Sequence, residues 1–399
     1  MIGSKSDFRR IRARLGEIQE GLREAGLDGW LLYDLHARNP VAGRLLGLGE
    51  MTRRYFAFIP AEGDPVALMH GIETAPWEAW PWGRRTYVAW PALDEGLAGL
   101  VGGRKVAMEI SPRDAVPAVD YIPAGVAELV RAAGAELVPS ADLITRFYAR
   151  WSEEGIASHD RAAQILARTA RAAFERVAAQ VRAGEEAREG PLRRWLLDRL
   201  AEEGAGVGAD SIVANGRNAA NPHYETGATG DVIRPGDVLL IDLWSKESED
   251  AVYADQTWMA VLGADVPAEV QGYWEAIRDG RDAAVDFLRK EWAAGRSIQG
   301  YQVDDVTRGV VAGRGWGDWF IHRTGHSIDQ ETHGMGPNID NLETRETRIL
   351  IPGVGFSIEP GIYIPGNVGL RTEINVFMGP DGPRVTTPEP QREMTRLPA

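Results

Sequence analysis

The chain has 399 residues, of which 44% are hydrophobic and 26% are charged, a balance typical of folded proteins rather than disordered ones. A single hydrophobic core seldom grows beyond about 250 to 300 residues, so the length predicts two domains. The 44 Lys and Arg against 58 Asp and Glu give a formal charge of -14, which argues against nucleic acid as a partner. Because the chain has no Cys, disulfides and thiol chemistry are excluded, and any metal must be bound by His and carboxylate side chains.

The N-terminal sequence MIGSKSDFRRIRARLGEIQ is charged and contains no apolar core of signal-peptide length. Nowhere do 18 apolar residues follow one another, as a membrane-spanning helix would require. We therefore expect a water-soluble, cytoplasmic protein with no membrane partner.

Residues 1 to 151 alternate helical and strand patterns, which predicts a small α/β domain. Apolar residues at helical spacing predict a helix from Phe8 to Ala25, and the apolar run from Trp30 to Tyr33 predicts the strand that follows it. A covering helix is predicted from Ala124 to Ala133. Further strands are predicted at Tyr55 to Ile59, Val66 to Met69, Tyr87 to Trp90 and Val106 to Ile110.

The second predicted domain comprises residues 152 to 399. Ser152 can cap a helix whose first turn is acidic, and an Ala- and Arg-rich pattern continues that helix to about Arg182. Two further helices are predicted at about 267 to 293 and 302 to 313. The predicted strands are Ser211 to Ala214, Val238 to Trp244, Val252 to Val261, Phe356 to Glu359 and Leu370 to Met378. Helices packed on a mostly antiparallel sheet are the expected arrangement.

Four acidic residues interrupt the strand patterns of the second domain: Asp242, Asp255, Glu359 and Glu373. A carboxylate in a buried strand is unfavourable unless a positive group meets it, and neighbouring carboxylates repel each other unless a cation lies between them. Each acid alone is more simply interpreted as a surface or salt-bridge residue. The set, together with histidine, favours a metal site.

Histidines are concentrated in the same domain. His322, His326 and His333 lie within twelve positions around a Gly-containing turn, whereas a lone His would more simply be structural or exposed. One nitrogen ligand and four carboxylates suit paired Mn²⁺, Zn²⁺, Co²⁺ or Fe²⁺. Two such cations about 3.5 to 4 Å apart can share a hydroxide and stabilise a tetrahedral intermediate.

The order of these residues resembles that of the pita-bread metallopeptidases, which include methionine aminopeptidase, aminopeptidase P, prolidase and creatinase. The resemblance implies an α+β fold in which a small α/β creatinase-like N-terminal domain precedes a pita-bread catalytic domain, an antiparallel sheet covered by helices. It spans nearly all of residues 152 to 380 and is looser in the first domain. The motifs that carry it are Ile241-Asp242-Leu243, Ala254-Asp255-Gln256-Thr257, His322-Arg323-Thr324-Gly325-His326, Ile358-Glu359-Pro360-Gly361-Ile362-Tyr363 and Gly369-Leu370-Arg371-Thr372-Glu373.

The resemblance implies two divalent metal ions per subunit, Mn²⁺, Zn²⁺ or Co²⁺. Asp242 would bind one metal, Asp255 and Glu373 would bridge both, and His326 and Glu359 would bind the second. A metal-bound hydroxide would attack the scissile carbonyl, and Glu359 would act as the general base.

The family also implies residues on the substrate side of the site. His223 and His333 match histidines that hold the scissile amide and stabilise the charge developing on its oxygen. His322 matches a histidine that lines the proline side of the pocket. Tyr363 and Arg371 match a proton-relay pair beside the metals, so both are predicted to take part in catalysis.

The first domain resembles the one that shapes the substrate entrance and the dimer in prolidase and aminopeptidase P, so we expect a homodimer. The segment from His36 to Pro40 follows the first predicted strand. Its Arg38 is a hypothetical substrate-binding residue of a catalytic pocket, in the same subunit or in a partner subunit. An exposed basic loop is an equally simple interpretation of this segment.

The resemblance implies an Xaa-Pro dipeptidase, or prolidase, whose substrates are proline-containing di- or short peptides. Proline lacks the N–H by which most peptidases hold their substrates, so it requires a dedicated pocket. An aminopeptidase P that acts on longer peptides is the first alternative, although the lack of an extended C-terminal tail favours the dipeptidase. A non-catalytic binding module on the same fold is the second, and the intact set of five ligands disfavours it. Gln256-Thr257-Trp258 replaces the family's Thr-Arg-Thr, which leaves substrate selection open.

Overall fold

The computed structural model describes residues 6 to 398. The chain divides into two compact units, which meet in sequence between Tyr148 and Ala149. In this described part of the chain, no helix is both long and apolar enough to cross a membrane.

The N-terminal unit is built on a six-stranded mixed sheet. Its elements are α1 (Arg9–Glu24), β1 (Gly29–Asp34), α2 (Pro40–Leu46), β2 (Tyr55–Pro60), β3 (Val66–His70), β4 (Gly83–Tyr87), α3 (Trp90–Val101), β5 (Lys105–Met108), α4 (Ala124–Ala132), β6 (Glu136–Pro139) and α5 (Ala141–Phe147). The strand order is β4-β3-β2-β1-β5-β6, with β1 antiparallel to β2 and parallel to β5. Every residue of β1 and β2 is buried, because helices cover both faces of the sheet centre.

The predicted strand from Tyr87 to Trp90 is wrong. Strand β4 ends at Tyr87, and helix α3 begins at Trp90. Pro91 lies in the first turn of that helix, where its missing N–H costs no hydrogen bond, whereas in a strand it would remove one. The apolar run that suggested a strand is instead exposed at Val88 and Trp90.

The C-terminal unit packs helices on mostly antiparallel sheets. Its elements are α6 (Glu153–Arg182), β7 (Ala187–Arg188), α7 (Glu189–Glu202), β8 (Val207–Asn215), β9 (Val232–Ile233), β10 (Val238–Lys246), β11 (Ala254–Val261), α8 (Ala268–Ala293), α9 (Gly300–Gly313), β12 (Ser327–Ile328), β13 (Gly355–Ile358), β14 (Gly361–Ile364), β15 (Val368–Arg371), β16 (Ile374–Gly379), β17 (Gly382–Val385) and β18 (Thr395–Arg396). Two four-stranded sheets have the orders β18-β11-β10-β8 and β12-β13-β16-β17, and the pairs β14-β15 and β7-β9 complete the unit. The predicted α+β class is confirmed.

Local chemistry explains where the long helix α6 begins. The hydroxyl of Ser152 accepts a hydrogen bond from the backbone N–H of Gly155 at 3.0 Å. Glu153 and Glu154 occupy the first turn, where negative charge is favourable. The helix ends at Arg182, as the sequence predicts.

Other element boundaries differ from those predicted. The strand expected from Leu370 to Met378 is two strands, β15 and β16, interrupted at Thr372 and Glu373. Arg281 of α8 donates a hydrogen bond to the Thr372 hydroxyl at 2.8 Å, an interaction that no local sequence pattern predicts. Helix α7 was not predicted, and strand β11 begins at Ala254 rather than Val252.

The central sheet has two different faces. Along β10, Leu239, Ile241 and Leu243 pack with residues of α6 and α7 in one core cluster. Leu240 lies in a second cluster that includes residues of α8. Because successive strand residues point to opposite faces, Asp242 shares the side of Leu240 and points away from α6.

Candidate metal centre

A cleft of about 600 Å³ in the C-terminal unit gathers most of the residues that the sequence singles out. Those that line it are Asp242, Asp255, His326, Glu359, Glu373, His223, His322, His333 and Arg371. Tyr363 is buried and reaches the site through the His322 ring, to which its hydroxyl donates a hydrogen bond at 2.9 Å. The fold therefore brings together residues that are up to 150 positions apart in sequence, roughly the span of a small domain.

The register of β10 and β11 places two acids on the cleft face of the sheet. Asp242 pairs with Thr257, and Trp244 pairs with Asp255, in an antiparallel ladder. Cross-strand partners share a face, and residues two apart on one strand share it too. Asp242 and Asp255 are therefore diagonal neighbours on one surface, where their charges repel each other.

The two glutamates enter the site from turns rather than from strand interiors. Glu359 directly follows β13, and its backbone N–H donates to the Thr324 carbonyl at 2.7 Å. Glu373 lies in the break between β15 and β16, where the Thr257 hydroxyl donates to its Oε2 at 2.9 Å. These hydrogen bonds orient both carboxylates toward the acids of β10 and β11.

A close approach of two chain segments positions His326. Its backbone N–H donates to the Ser357 hydroxyl at 2.9 Å, and that hydroxyl donates to Glu359 Oε1 at 3.0 Å. A Cβ on Gly325 would lie 1.9 Å from the Ser357 carbonyl oxygen, so only glycine fits there. The spacing of the histidine motif thus follows from packing against β13.

The His326 ring presents a lone pair to the carboxylates. Its Nδ1–H donates to the Ser327 carbonyl at 3.1 Å, which leaves Nε2 unprotonated. Nε2 lies 3.4 Å from Glu359 Oε1 and 3.7 Å from Asp255 Oδ2. Burial lowers the pKa of His326 to about 3, so the imidazole stays neutral and able to bind a cation at physiological pH.

The donor set fits divalent cations. Asp255, His326 and Glu373 are buried and offer ligand atoms that all lie within 4.8 Å of one another. Asp242 Oδ1, Asp255 Oδ1 and Glu373 Oε1 are buried and receive no hydrogen bond from any residue between 6 and 398. Buried carboxylate oxygens without donors are unfavourable, and oxygen ligands with one imidazole are what divalent first-row metals accept.

Charge repulsion within this cluster is large. Burial raises the pKa of Asp255 and Glu373 well above their ordinary values, and the charges of neighbouring carboxylates raise both further. Burial also raises the pKa of Asp242, although its ion pair with Arg371 opposes that shift. The Arg371 guanidinium alone cannot balance the four neighbouring carboxylates of Asp242, Asp255, Glu359 and Glu373.

A hydrogen-bonded chain lies beside the acids. His322 Nδ1–H donates to the Arg323 carbonyl at 2.7 Å, so Nε2 accepts from the Tyr363 hydroxyl. Burial lowers the pKa of His322 to about 4 and raises that of Tyr363 to about 12, so both groups are neutral at pH 7. Arg371 links the acid strands by pairing with Asp242 and donating to the Thr257 hydroxyl at 3.0 Å.

His223 and His333 stand at the exposed mouth of the cleft. The rings of His333 and His326 meet edge to face, with centroids 4.4 Å apart. Arg38 is exposed and lies in the N-terminal unit, after His36 and Ala37, which have left-handed backbone conformations. Its proposed contact with a catalytic pocket stays a prediction.

Sequence reasoning missed a buried carboxylate that holds the wall of the cleft. Glu189 Oε1 accepts from the Asn215 backbone N–H at 2.8 Å and from the Asn218 amide at 2.9 Å. Its Oε2 accepts from the Tyr224 hydroxyl at 2.9 Å and from the Asp231 backbone N–H at 2.7 Å. From sequence, an acid in a helix's first turn is explained by the helix dipole alone, so nothing pointed to this role.

The sequence also gave no role to several cleft residues. Arg323 lies between His322 and Thr324 in one of the five family-like motifs, and this position could have marked it as a cleft residue. The others are Ile212, Asn221, Pro222, Trp244, Ile321, Thr332 and Glu343.

Comparison with known proteins identifies the family. Residues 159–380, more than half of the chain, match metallopeptidase family M24. The chain belongs to this family. The resemblance found in the motifs and the predicted pita-bread fold are thereby confirmed.

Relatives within the family include named dipeptidases. The chain is 35% identical over 173 residues to the Xaa-Pro dipeptidase of Lactobacillus delbrueckii subsp. lactis, an alignment that covers 43% of either chain. It is 28% identical over 334 residues to the probable dipeptidase PepE of Mycobacterium tuberculosis strain H37Rv, which covers 81% of this chain and 80% of that one. The crystal structure of dipeptidase PepE from Mycobacterium ulcerans superposes with a TM-score of 0.74 at 22% identity, covering 99% of this chain and 100% of that one.

Proposed function

We propose that this M24 metallopeptidase is an Xaa-Pro dipeptidase that works with two divalent metal ions. The observation that carries the proposal is the group of three buried carboxylate oxygens without hydrogen-bond donors, on Asp242, Asp255 and Glu373, beside the lone pair of His326. Glu359 completes the proposed set of five ligands. The Lactobacillus relative is an Xaa-Pro dipeptidase and the Mycobacterium relative is a probable dipeptidase, which supports a dipeptide substrate.

The protein's own groups provide positioning and proton transfer. When bound, paired divalent cations supply a Lewis acid for the scissile carbonyl and lower the pKa of a water molecule. Glu359 Oε1 is held by the Ser357 hydroxyl at 3.0 Å, which leaves Oε2 to accept the proton of the attacking water and return it to the leaving nitrogen. His223 and His333, at the mouth, orient the scissile amide. We assign Tyr363 and Arg371 to holding protons and charge in place beside the acids.

The neutral pair of His322 and Tyr363 fits the proline side of the pocket. Their hydrogen bond satisfies both polar groups, so the surface that they offer to a pyrrolidine ring needs no further donor. Ile321 adds an exposed apolar side chain at the same wall of the cleft. A tertiary amide can therefore bind without the N–H that it lacks.

Arg323 favours a dipeptide over a longer peptide. It lines the cleft, and within the described chain no carboxylate forms an ion pair with its guanidinium. The nearby Glu343 uses its Oε1 to accept the Arg323 backbone N–H at 3.3 Å. A free guanidinium in a substrate cleft is suited to the C-terminal carboxylate that a dipeptide carries directly on its proline.

The test compares Ala-Pro, Ala-Pro-Ala and Ala-Ala as substrates of metal-free protein and of protein reconstituted with Mn²⁺, Zn²⁺ or Co²⁺. We expect metal-dependent hydrolysis of Ala-Pro, with little hydrolysis of the other two. Preferential cleavage of Ala-Pro-Ala would reassign the protein as an Xaa-Pro aminopeptidase. Metal binding without cleavage of any peptide would leave the binding-module alternative and overturn the dipeptidase.

We extend the proposal to the organisation of the chain: residues 1–151 shape the substrate entrance and the dimer contacts, residues 152–399 carry the catalysis, and the homodimer acts in the cytoplasm. Sedimentation equilibrium should give twice the 43.7 kDa chain mass.

Arg38 is proposed to bind substrate, so Arg38→Ala should raise KM for Ala-Pro. An unchanged KM would remove Arg38 from the site.

A further inference from the structure

A second cleft, of about 350 Å³, opens in the N-terminal unit, and the proposed peptidase reaction does not use it. Basic, aromatic and apolar side chains line it, among them Arg53, Arg54, Tyr33, Val88 and Trp90. We refer to it as the arginine cleft. Several hydrogen-bond donors of this cleft have no partner in the described protein, which points to a ligand.

Tyr33 is a largely buried residue whose hydroxyl has no hydrogen-bond partner in the described part of the protein. The residue is 5% exposed, near the end of β1, and its ring packs on Phe56 with centroids 5.0 Å apart. Among residues 6 to 398, none forms a hydrogen bond with this hydroxyl, which faces the arginine cleft. Burial raises the pKa of Tyr33, so the group keeps its proton and remains a donor.

No carboxylate of the described chain forms a salt bridge with either arginine of the cleft. In the described part of the chain, neither Arg53 nor Arg54 forms an ion pair, although the protein carries fourteen excess negative charges. The nearest acids are already engaged. Glu73 accepts the backbone N–H groups of Thr52 and Arg53 at 2.8 Å each, and Asp34 accepts three backbone N–H groups in the turn after β1.

The remaining polar groups of the wall serve the cleft's own structure. His70 Nε2–H donates to the Val88 carbonyl at 3.2 Å, and its Nδ1 accepts from the Ile72 N–H at 3.3 Å. The Tyr87 hydroxyl donates to the Arg54 carbonyl at 2.7 Å, which fixes the backbone that carries the guanidinium. Arg53 Nη1 already donates to the Thr52 carbonyl at 3.1 Å, so the donors left over are the Tyr33 hydroxyl, the other nitrogens of the Arg53 guanidinium and the Arg54 guanidinium.

An apolar surface borders these donors. Val88 is 74% exposed and Trp90 is 71% exposed, although both are large hydrophobic residues. Trp90 also begins helix α3, whose N-cap residue Ala89 has no side-chain oxygen to satisfy the first amides. Uncapped amides at a helix N-terminus favour negative charge, so this edge adds to the same preference.

We propose that the arginine cleft binds the oxyanion of a small molecule that also carries an apolar body. Arg53, Arg54 and the Tyr33 hydroxyl donate to the oxyanion, and the Trp90 ring packs on the apolar part. Carboxylates and phosphates share this chemistry, because guanidinium groups bind both. The proposal does not depend on the peptidase function.

The test is isothermal titration calorimetry of the full, metal-loaded chain with four probes: 3-phenylpropionate, phenyl phosphate, acetate and inorganic phosphate. We expect the aromatic probes to bind more tightly than the two small anions, and the tighter of the aromatic pair will show whether the cleft prefers carboxylate or phosphate. Arg54→Gln should weaken binding of the preferred probe by about tenfold or more, the effect of one charge-assisted hydrogen bond. Trp90→Ala should remove the advantage of the aromatic probes alone.

Two matched variants locate the binding. Arg131→Gln changes an exposed arginine on α4 of the same unit and should bind the probes as the unaltered chain does. Arg323→Gln changes the arginine of the catalytic cleft and should keep the aromatic-probe binding that Arg54→Gln weakens, whatever anion binding it loses in the catalytic cleft. Tyr33→Phe, which removes a single oxygen, guards against a folding defect and should also weaken binding. Full binding by Arg54→Gln and Tyr33→Phe, loss of that aromatic-probe binding in Arg323→Gln, or no binding of any probe at millimolar concentration would each overturn the proposal. So would a dimer that Trp90→Ala dissociates, because a second copy would then occupy the cleft.

Discussion

At the scale of single residues, the candidate centre concentrates charge that the protein alone does not balance. Asp255 and Glu373 each keep one buried carboxylate oxygen without a donor, and the burial and charges that raise their pKa values destabilise the ionised forms. The repulsion that destabilises the metal-free fold favours the binding of divalent cations. Neutralising one of these acids should therefore weaken metal binding but stabilise the metal-free protein.

Asp255→Asn and Glu373→Gln test this opposition. We expect each to weaken Mn²⁺ binding by at least about 100-fold, since even groups that only orient ligands are worth about 10- to 100-fold. Each should raise the thermal unfolding midpoint of the metal-free protein, because it removes a buried like charge. Calorimetric titration and thermal melts of the same samples measure both effects. Glu343→Gln, an acid of the cleft outside the cluster, is the control and should change neither quantity.

Arg323 provides a second test at this scale. If its guanidinium binds the substrate carboxylate, Arg323→Gln should raise KM for Ala-Pro about tenfold or more with a smaller change in kcat. Arg323→Lys should restore part of the loss, because a charge remains. An equal rise in KM for Ala-Pro-amide, which has no carboxylate, would contradict the assignment.

At the scale of elements, single buried groups hold the turns that bring side chains of the candidate centre into place. Asp304 of α9 accepts the Thr324 N–H at 2.9 Å and the Asn341 N–H at 2.9 Å, which ties the histidine motif to a helix. Glu189 of α7 does the same for the segment from Asn215 to Asp231. His223 stands within that segment, so its place in the cleft depends on a carboxylate it does not touch.

Glu189→Gln should therefore act as a positioning defect. The amide cannot accept from all four donors, so the segment loosens, and we expect kcat/KM for Ala-Pro to fall about tenfold while Mn²⁺ affinity is unchanged. His223→Ala should show little further loss when combined with Glu189→Gln, because both remove the same histidine. Asp198→Ala, on the exposed side of α7, is the control. Additive losses in the double variant would show that Glu189 does not act through His223.

Propensity and periodicity predicted the elements whose causes are local. Helix α6 follows from a serine cap and an acidic first turn, and β10 follows from its run of branched apolar residues. Helix α3 was missed because an apolar run with proline fits both a strand edge and a helix start. The break between β15 and β16 depends on a side chain from α8, which is distant in sequence.

At the scale of the whole molecule, one buried histidine connects three parts of the C-terminal unit. His159 of α6 donates through Nδ1 to the Tyr253 carbonyl at 2.6 Å and accepts through Nε2 from the Thr386 hydroxyl at 2.6 Å. Its ring also packs on Trp151, with centroids 4.5 Å apart. Burial lowers the pKa of His159 from 6.5 to about 4.

This histidine predicts a loss of stability in mild acid. Between pH 6.5 and 4 the unfolded chain binds a proton that the folded chain refuses, so the free energy of unfolding falls as pH falls, by up to about 3 kcal/mol from this group. His159→Gln should be less stable at pH 7 but should lose less on acidification. Calorimetric melting midpoints from pH 8 to pH 4.5 measure the difference between the two proteins. Parallel curves would exclude His159 as the source.

The sequence by itself predicted the family and the fold class, because five separated motifs resemble those of the pita-bread metallopeptidases in order. It also predicted the residue types of the candidate centre, because a set of acids inside apolar strands together with histidine favours a cation between them. The tertiary structure alone decided which of those groups meet. Strand register placed Asp242 and Asp255 on one face of the sheet. The turns after β13 and β15 placed Glu359 and Glu373 beside them. Glu189 and the arginine cleft carry no sequence signal, since burial, missing counter-charges and unsatisfied donors exist only once distant segments have packed together.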